Sequence, residues 1–147
     1  MTLKLPEETL KKLERLGTEY DAIVQDMLTD GIEPLQKQIE SNLKEVIGRG
    51  VKSKPRSMGN LIKAIRVTKA YQVTNGDWHI KVGIYGYDKY DENGNPTGTP
   101  NALKAMVLEH GRSDMAAKPW LKPAISATKK QCVQAMVDTF DKKVDKL

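Results

Sequence analysis

Very little in this chain is equipped for covalent or metal chemistry. Its 147 residues hold one cysteine, Cys132, and two histidines, His79 and His110, far apart in sequence. A single thiol excludes an intramolecular disulfide and fits a reducing compartment. Aromatic residues make up 5% of the chain, only one of them Phe, so aliphatic side chains must supply most of the core. No apolar run approaches the ~18 residues that a membrane span needs, and the start lacks the apolar stretch of a signal peptide. The expectation is a protein with no membrane segment, made and used without export. One domain, residues 1–147, is expected at this length, with one modest core.

Charge is present in quantity but unevenly placed. Residues 1–50 carry seven Lys/Arg against ten Asp/Glu, a net of −3. Residues 51–147 carry seventeen against nine, a net of +8. A basic half suits nucleic acid, an acidic membrane surface or the acidic half of a neighbouring copy. The basic residues are interspersed rather than clustered, which weighs against nucleic acid.

Pro6, Glu7 and Glu8 make a good helix start, with acids in the first turn. Apolar residues from Leu10 to Leu28 then recur at helical spacing, and the stripe resumes from Leu35 to Ile47 before "GRG". Gly31 between them is a candidate break or bend, giving one long bent helix or two in series. The stripe either packs on the rest of the domain or forms a coiled-coil seam for a partner. Residues 48–60 read as a loop. Ile65, Val67, Tyr71 and Val73 alternate with polar or small residues, as do Trp78, Ile80, Val82 and Ile84 beyond Asn75-Gly76. Asn-Gly between alternating runs predicts a hairpin over residues 62–86 with a two-residue type I′ turn. That register opposes Val73 to Trp78, Tyr71 to Ile80 and Val67 to Ile84 on one apolar face. Lys69, opposite Val82, is its one misfit.

Residues 85–100 are turn-rich and predict an exposed excursion, with Asn93-Gly94 closing a smaller hairpin. Asp and Asn there invite a calcium-loop reading, but no register places Gly sixth and Glu twelfth. Residues 101–110 predict a short helix with Asn101 as N-cap and Gly111 as stop. Ile125, Val133, Met136, Phe140, Val144 and Leu147 mark one face of a C-terminal helix started near Pro119 or Pro123. The expected fold is α+β: a long N-terminal helical segment, an antiparallel sheet built on the hairpin, and a C-terminal helix packed on the sheet.

Candidates for chemistry do not assemble. Glu109 and His110 are adjacent, and neighbours in a helix point about 100° apart, so they make no metal pair by themselves. Cys132 lies at the edge of an apolar stripe, the setting of a buried small hydrophobe; a cysteine hydrolase would need a base beside it. Asp88, Asp91 and Glu92 lie in the loop, poorly held for acid/base work. No glycine-rich loop between strand and helix cradles a phosphate. Tyr85, Tyr87 and Tyr90 with Lys81 and Lys89 are the nearest thing to a nucleic-acid surface. No catalytic, cofactor or metal site is expected, and the chain reads as a non-enzyme.

Two segments in order, "KPRSMGNLIKAIRV" (54–67) and "VLEHGRSDMAAKPWLKPAI" (107–125), carry a resemblance. Together they resemble the phage tail-component family of small neck proteins of long-tailed phages, variously called tail-completion, tail-terminator or head–tail joining proteins. Pro55, Gly59, Leu61, Ala64 and Ile65 fall where that family has a proline, a glycine, a leucine and a small-Ile pair leading into the first strand. Glu109, His110 and Gly111 follow its Glu-aromatic-Gly helix end, with His for the aromatic. Pro119, Trp120, Leu121, Pro123 and Ala124 follow its Pro-Phe-Leu-x-Pro-Ala, with Trp for Phe. The resemblance implies a structural virion protein of a bacteriophage or prophage, assembled in the bacterial host cytoplasm. Its partners would be other copies of itself in a homo-oligomeric ring, the tail tube and head-completion proteins, with DNA met only as it passes through the ring. Trp120 and Leu121 would then anchor the last helix against the hairpin, with Gly111 turning the chain and the two prolines stiffening it. The alternative is a small basic nucleic-acid-binding protein of a mobile element.

Overall fold

A computed structural model describes residues 6–46, 58–87, 89–114 and 116–147, with the backbone alone for 58–60. Helix α1, Glu7–Val46, runs for 40 residues, about 60 Å at 1.5 Å per residue. It does not break at Gly31. A Cβ there would lie 2.5 Å from Met136 Cγ and 3.1 Å from its Sδ, so the glycine lets the C-terminal helix approach closely. That helix, α4 (Leu121–Asp145), runs antiparallel to α1. Thr139 Oγ1 donates to Asp30 Oδ2 at 2.7 Å, Lys143 pairs with Asp26 at 2.9 Å, and Asn42 Nδ2 donates to the Trp120 carbonyl at 3.0 Å.

The face that α4 turns to α1 is only in part the expected one: Met136, Val144 and Leu147 of that face are half-buried. Ala124, Thr128 and Thr139 are buried, and Cys132 and Met136 are half-buried, whereas Ile125, Val133 and Phe140 are exposed. The seam is filled by small side chains and by Met136 over Gly31, while Ile125, Val133 and Phe140 are turned away.

Helix α2 (Met58–Lys63) takes up the end of the stretch expected to be loop, and leads into β1 (Ile65–Val67). Strands β2 (Tyr71–Gln72), β3 (Trp78–His79) and β4 (Val82–Ile84) complete an antiparallel hairpin. Its turn differs from the expected one. Val73 accepts the Gly76 N–H at 2.9 Å and donates to Asp77 O at 2.8 Å, making Thr74, Asn75 and Gly76 a three-residue loop. Only Gly76 in that loop has positive φ, +93°, whereas a type I′ turn needs it at both central residues. Tyr71 therefore opposes His79, and Gln72 opposes Trp78, one residue off the expected register. A bulge adds a second slip, residues 68–70 facing only 80–81. There the Thr68 hydroxyl stands in for a backbone acceptor, taking the Lys81 N–H at 3.0 Å.

Two one-residue slips make a shift of two, and side chains alternate with period two, so β1 and β4 keep their expected apolar face. Val67 opposes Val82 and Ile65 opposes Ile84. Lys69 falls in the bulge, exposed, and the misfit disappears. Near the turn one slip has acted, and Tyr71 and Trp78 no longer share a face.

The second Asn-Gly closes a smaller hairpin, as expected. Tyr90 bridges Pro96, Gly94 has φ +81°, and Asp91 donates to Asn95 O at 2.9 Å, the same pattern as at Gly76. Helix α3 is Asn101–His110. Pro100, not Asn101, holds its N-cap position; Asn101 is buried inside the helix and its Nδ2 donates to Tyr85 O at 3.1 Å. Gly111 stops the helix as expected, at φ +76°. The core gathers where all the elements meet, from Ile39, Leu43 and Val46 of α1, Leu61, Ile65, Ala105, Trp120 and Ala124. Among the described residues, no helix is long and apolar enough to cross a membrane.

Candidate functional site

The residues of the second resembling segment close into one clasp around the start of α4. A helix leaves its first N–H groups without partners inside the helix. Here the Glu109 carboxylate, from the end of α3, takes three of them: Trp120 N at 2.7 Å and Leu121 N at 2.8 Å on Oε2, and Lys122 N at 3.1 Å on Oε1. The next residue, Pro123, has no N–H to satisfy. One carboxylate and one proline thus settle the N-terminus, and the negative charge sits at the favourable end of the helix dipole.

Partial burial acts to raise the Glu109 pKa, but the backbone N–H donors from Leu121, Trp120 and Lys122, helped by the neighbouring His110, hold it below the usual carboxylate value. Trp120 is 6% exposed, and its Nε1 donates to Ala105 O at 2.9 Å. Lys118 N reaches Leu108 O at 2.7 Å, and Gly111 N reaches Val107 O at 2.8 Å, so the chain between the helices is strapped along α3. On the far side Gln38 holds Asn42, which holds the Trp120 carbonyl. Trp120 is anchored by α1 and α3 as well as the hairpin, a wider footing than expected. Leu121 packs against the same core.

Leu61, Ala64 and Ile65 of the first resembling segment are buried, and Leu61 and Ile65 lie in the cluster that holds Trp120 and Ala124. Gly59 lies within α2, and Pro55 lies outside the described residues. Pro119 and Pro123 are exposed on either side of the buried Trp120. The capping role of Glu109 carries no local signal, because the residue before Leu121 is a tryptophan and the acceptor comes from eleven residues upstream.

The other candidates stay apart. His79 is exposed, with its ring 6.0 Å from that of Tyr71, and His110 is exposed at the end of α3. Cys132 is half-buried beside Gly31. Among the described residues no three His, Cys, Asp or Glu side chains gather to hold a metal. Of the basic-aromatic set, Lys81 lies over the Tyr71 ring instead, at 5.8 Å. Tyr85, Tyr87 and Tyr90 line a shallow cleft of about 330 Å³ with Lys63, Arg66 and Asn101. Arg66 Nη1 already donates to the Lys63 and Ile65 carbonyls. Comparison with known proteins finds no matching family model, curated protein or solved structure.

Proposed function

We propose that this chain is a structural component of a phage or prophage neck, completing the tail and joining it to the head as part of an oligomeric ring. The observation that carries this reading is the convergence of its two resembling segments. They are separated by 39 residues of sequence, yet Leu61 and Ile65 share one buried cluster with Trp120 and Ala124. The clasp ties the start of α4 to α3 through Glu109 and the Trp120 indole and to α1 through Asn42, which suits a part that presents fixed surfaces to neighbours. A heterologous contact between copies that closes on itself makes such a ring.

The test is deletion of the coding sequence from its phage or prophage. The expected result is filled heads and free tails that fail to join, with joining restored when purified protein is added to the lysate. Normal virions from the deletion would sink the reading. A second reading, nucleic-acid binding, is favoured by the cleft of three tyrosines with Lys63 and Arg66. Asp91 and Glu92 on the same excursion oppose it. Salt-sensitive retardation of single-stranded DNA at low micromolar protein, lost in Tyr87→Ala/Tyr90→Ala, would promote it.

A further inference from the structure

The helical hairpin exposes two apolar stripes, one at the end of α1 farthest from the sheet and one along α4. Leu13 and Tyr20 on α1 are seven residues apart and 52% and 55% exposed; Val133 and Phe140 on α4 are seven apart and 51% and 38% exposed. Leu10 and Val137 extend them at heptad spacing. Leu13 is eighteen residues, five turns, from Gly31, so it lies on the side of α1 that meets α4 and is uncovered because α4 stops level with Arg15. Val133 and Phe140 are turned outward on the same side of α4 as Lys122 and Lys129. The two stripes are therefore separate, one apolar among acids and the other apolar among lysines.

Charge says what covers them. Residues 13–36 hold six acids and one base, and residues 115–137 hold four lysines and no acid. Glu14, Glu19 and Asp21 are exposed around the α1 stripe, whereas Lys122, Lys129 and Lys130 are exposed on the outer side of the first half of α4. Arg15 bonds the Leu147 carbonyl while Asn42 bonds that of Trp120, so these two surfaces sit at opposite ends of one hairpin. They are roughly 30–40 Å apart along it and can meet only between molecules. Packing two such α1 ends together (stalk on stalk) would set acid against acid, which is disfavoured. Lysine stems are themselves apolar and can lie over leucine and phenylalanine with their charges at the acids.

We propose that the acidic apolar end of α1 in one copy docks on the lysine-bearing outer side of α4, with its exposed Val133 and Phe140, in a second copy. The closing of such contacts into a ring rests on the neck reading; the contact itself does not.

Sedimentation velocity of purified full-length protein tests it with two charge-reversed variants at exposed positions, Glu14→Lys/Asp21→Lys and Lys129→Glu/Lys130→Glu. Unchanged melting shows that each is folded. At about 50 mM salt the wild type should associate, and its apparent Kd should rise at least about tenfold by about 500 mM, as screening shortens. Each variant alone should be monomeric at wild-type associating concentrations, and an equimolar mixture of the two should associate again. A wild type that stays monomeric at about 200 µM overturns the proposal, as does a mixture that stays monomeric. A lysine variant that associates like wild type overturns it in favour of stalk-on-stalk packing. If the wild-type species is a closed pair rather than a larger ring, the contact stands and the neck reading falls.

Discussion

The two ends of this molecule are built on opposite terms. At the sheet end α1 offers Ile39, Leu43 and Val46, and every one of them is covered by α2, the hairpin, α3 or the start of α4. At the other end the same helix offers Leu10, Leu13 and Tyr20, and these face solvent. The helix continues unchanged in its periodicity from one regime to the other. Its local sequence specifies a stripe, and what differs is whether the chain returns to cover it. Beyond the sheet end α4 comes back along α1, meeting it through Thr128, Met136 and Thr139, while Val133, Val137 and Phe140 stay outward. The sheet end is thus a closed fold, and the far end is an unfinished one.

The largest effect that tests this contrast is at Trp120. Truncating a buried aromatic costs about 3–5 kcal/mol, a large share of the ~5–15 kcal/mol that holds a typical domain together. Trp120→Ala also removes the indole bond to the Ala105 carbonyl and loosens the seat of α4, so urea unfolding should show a midpoint far below wild type or no cooperative transition. A near-normal midpoint would mean that the sheet end is not the structural centre described here.

Next comes Glu109. Removing the carboxylate leaves three N–H groups at the start of α4 to find other partners, and Glu109→Ala should cost about 2–3 kcal/mol. Its pH dependence has a definite direction. A carboxylate held below its ordinary value near 4.5 adds stability above that pH, and the contribution is lost as pH falls through the lowered folded value. The stability gap between wild type and Glu109→Gln should therefore be level above about pH 5 and narrow on acidification. A gap that widens toward low pH would contradict the capping geometry.

How much of this could be read beforehand depended on distance along the chain. Helical stripes, both Asn-Gly turns and the Gly111 stop are local, and each is where the pattern put it. The type of the first turn was not legible, because Asn-Gly serves both a two-residue loop and a three-residue loop with a left-handed glycine. Lys69 opposite Val82 was the one trace of the true register. Gly31 read as a break because a glycine in a helix looks like weakness until the neighbour that needs its missing side chain is in place. The α4 stripe is apolar as its periodicity predicts, but only Met136, Val144 and Leu147 of it turn inward, since periodicity does not say how much of an apolar face meets its own core. Leu61, Ile65, Trp120 and Ala124 could be picked out as a motif, but the Glu109 cap that organises them depends on contacts across the turn.

A smaller effect is expected at Gly76. It has φ +93° in open space, so a side chain there meets no neighbour and the cost is conformational alone. A β-branched residue is strained at positive φ, and Gly76→Val should lose about 1–2 kcal/mol. Gly76→Asn should lose less, since asparagine tolerates the left-handed region. Equal losses from both would point to a contact instead of a backbone requirement.

The smallest effect belongs to the open end, and its smallness is the point. Leu13 and Val133 are more than half exposed, so replacing either by serine removes little buried surface from the isolated chain. Serine lowers helix propensity by a few tenths of a kcal/mol relative to leucine and leaves it about level with valine. Leu13→Ser and Val133→Ser should each shift the stability of the monomer by no more than about 0.5 kcal/mol, within the range of ordinary surface changes. The same substitutions put a hydroxyl where a covering partner would meet apolar side chains, so they should weaken self-association far more than they weaken the fold. Melting below the associating concentration, set beside sedimentation above it, separates the two effects. If either substitution costs several kcal/mol in the monomer, that stripe already packs within its own chain, and the two ends of the molecule are not built on different terms.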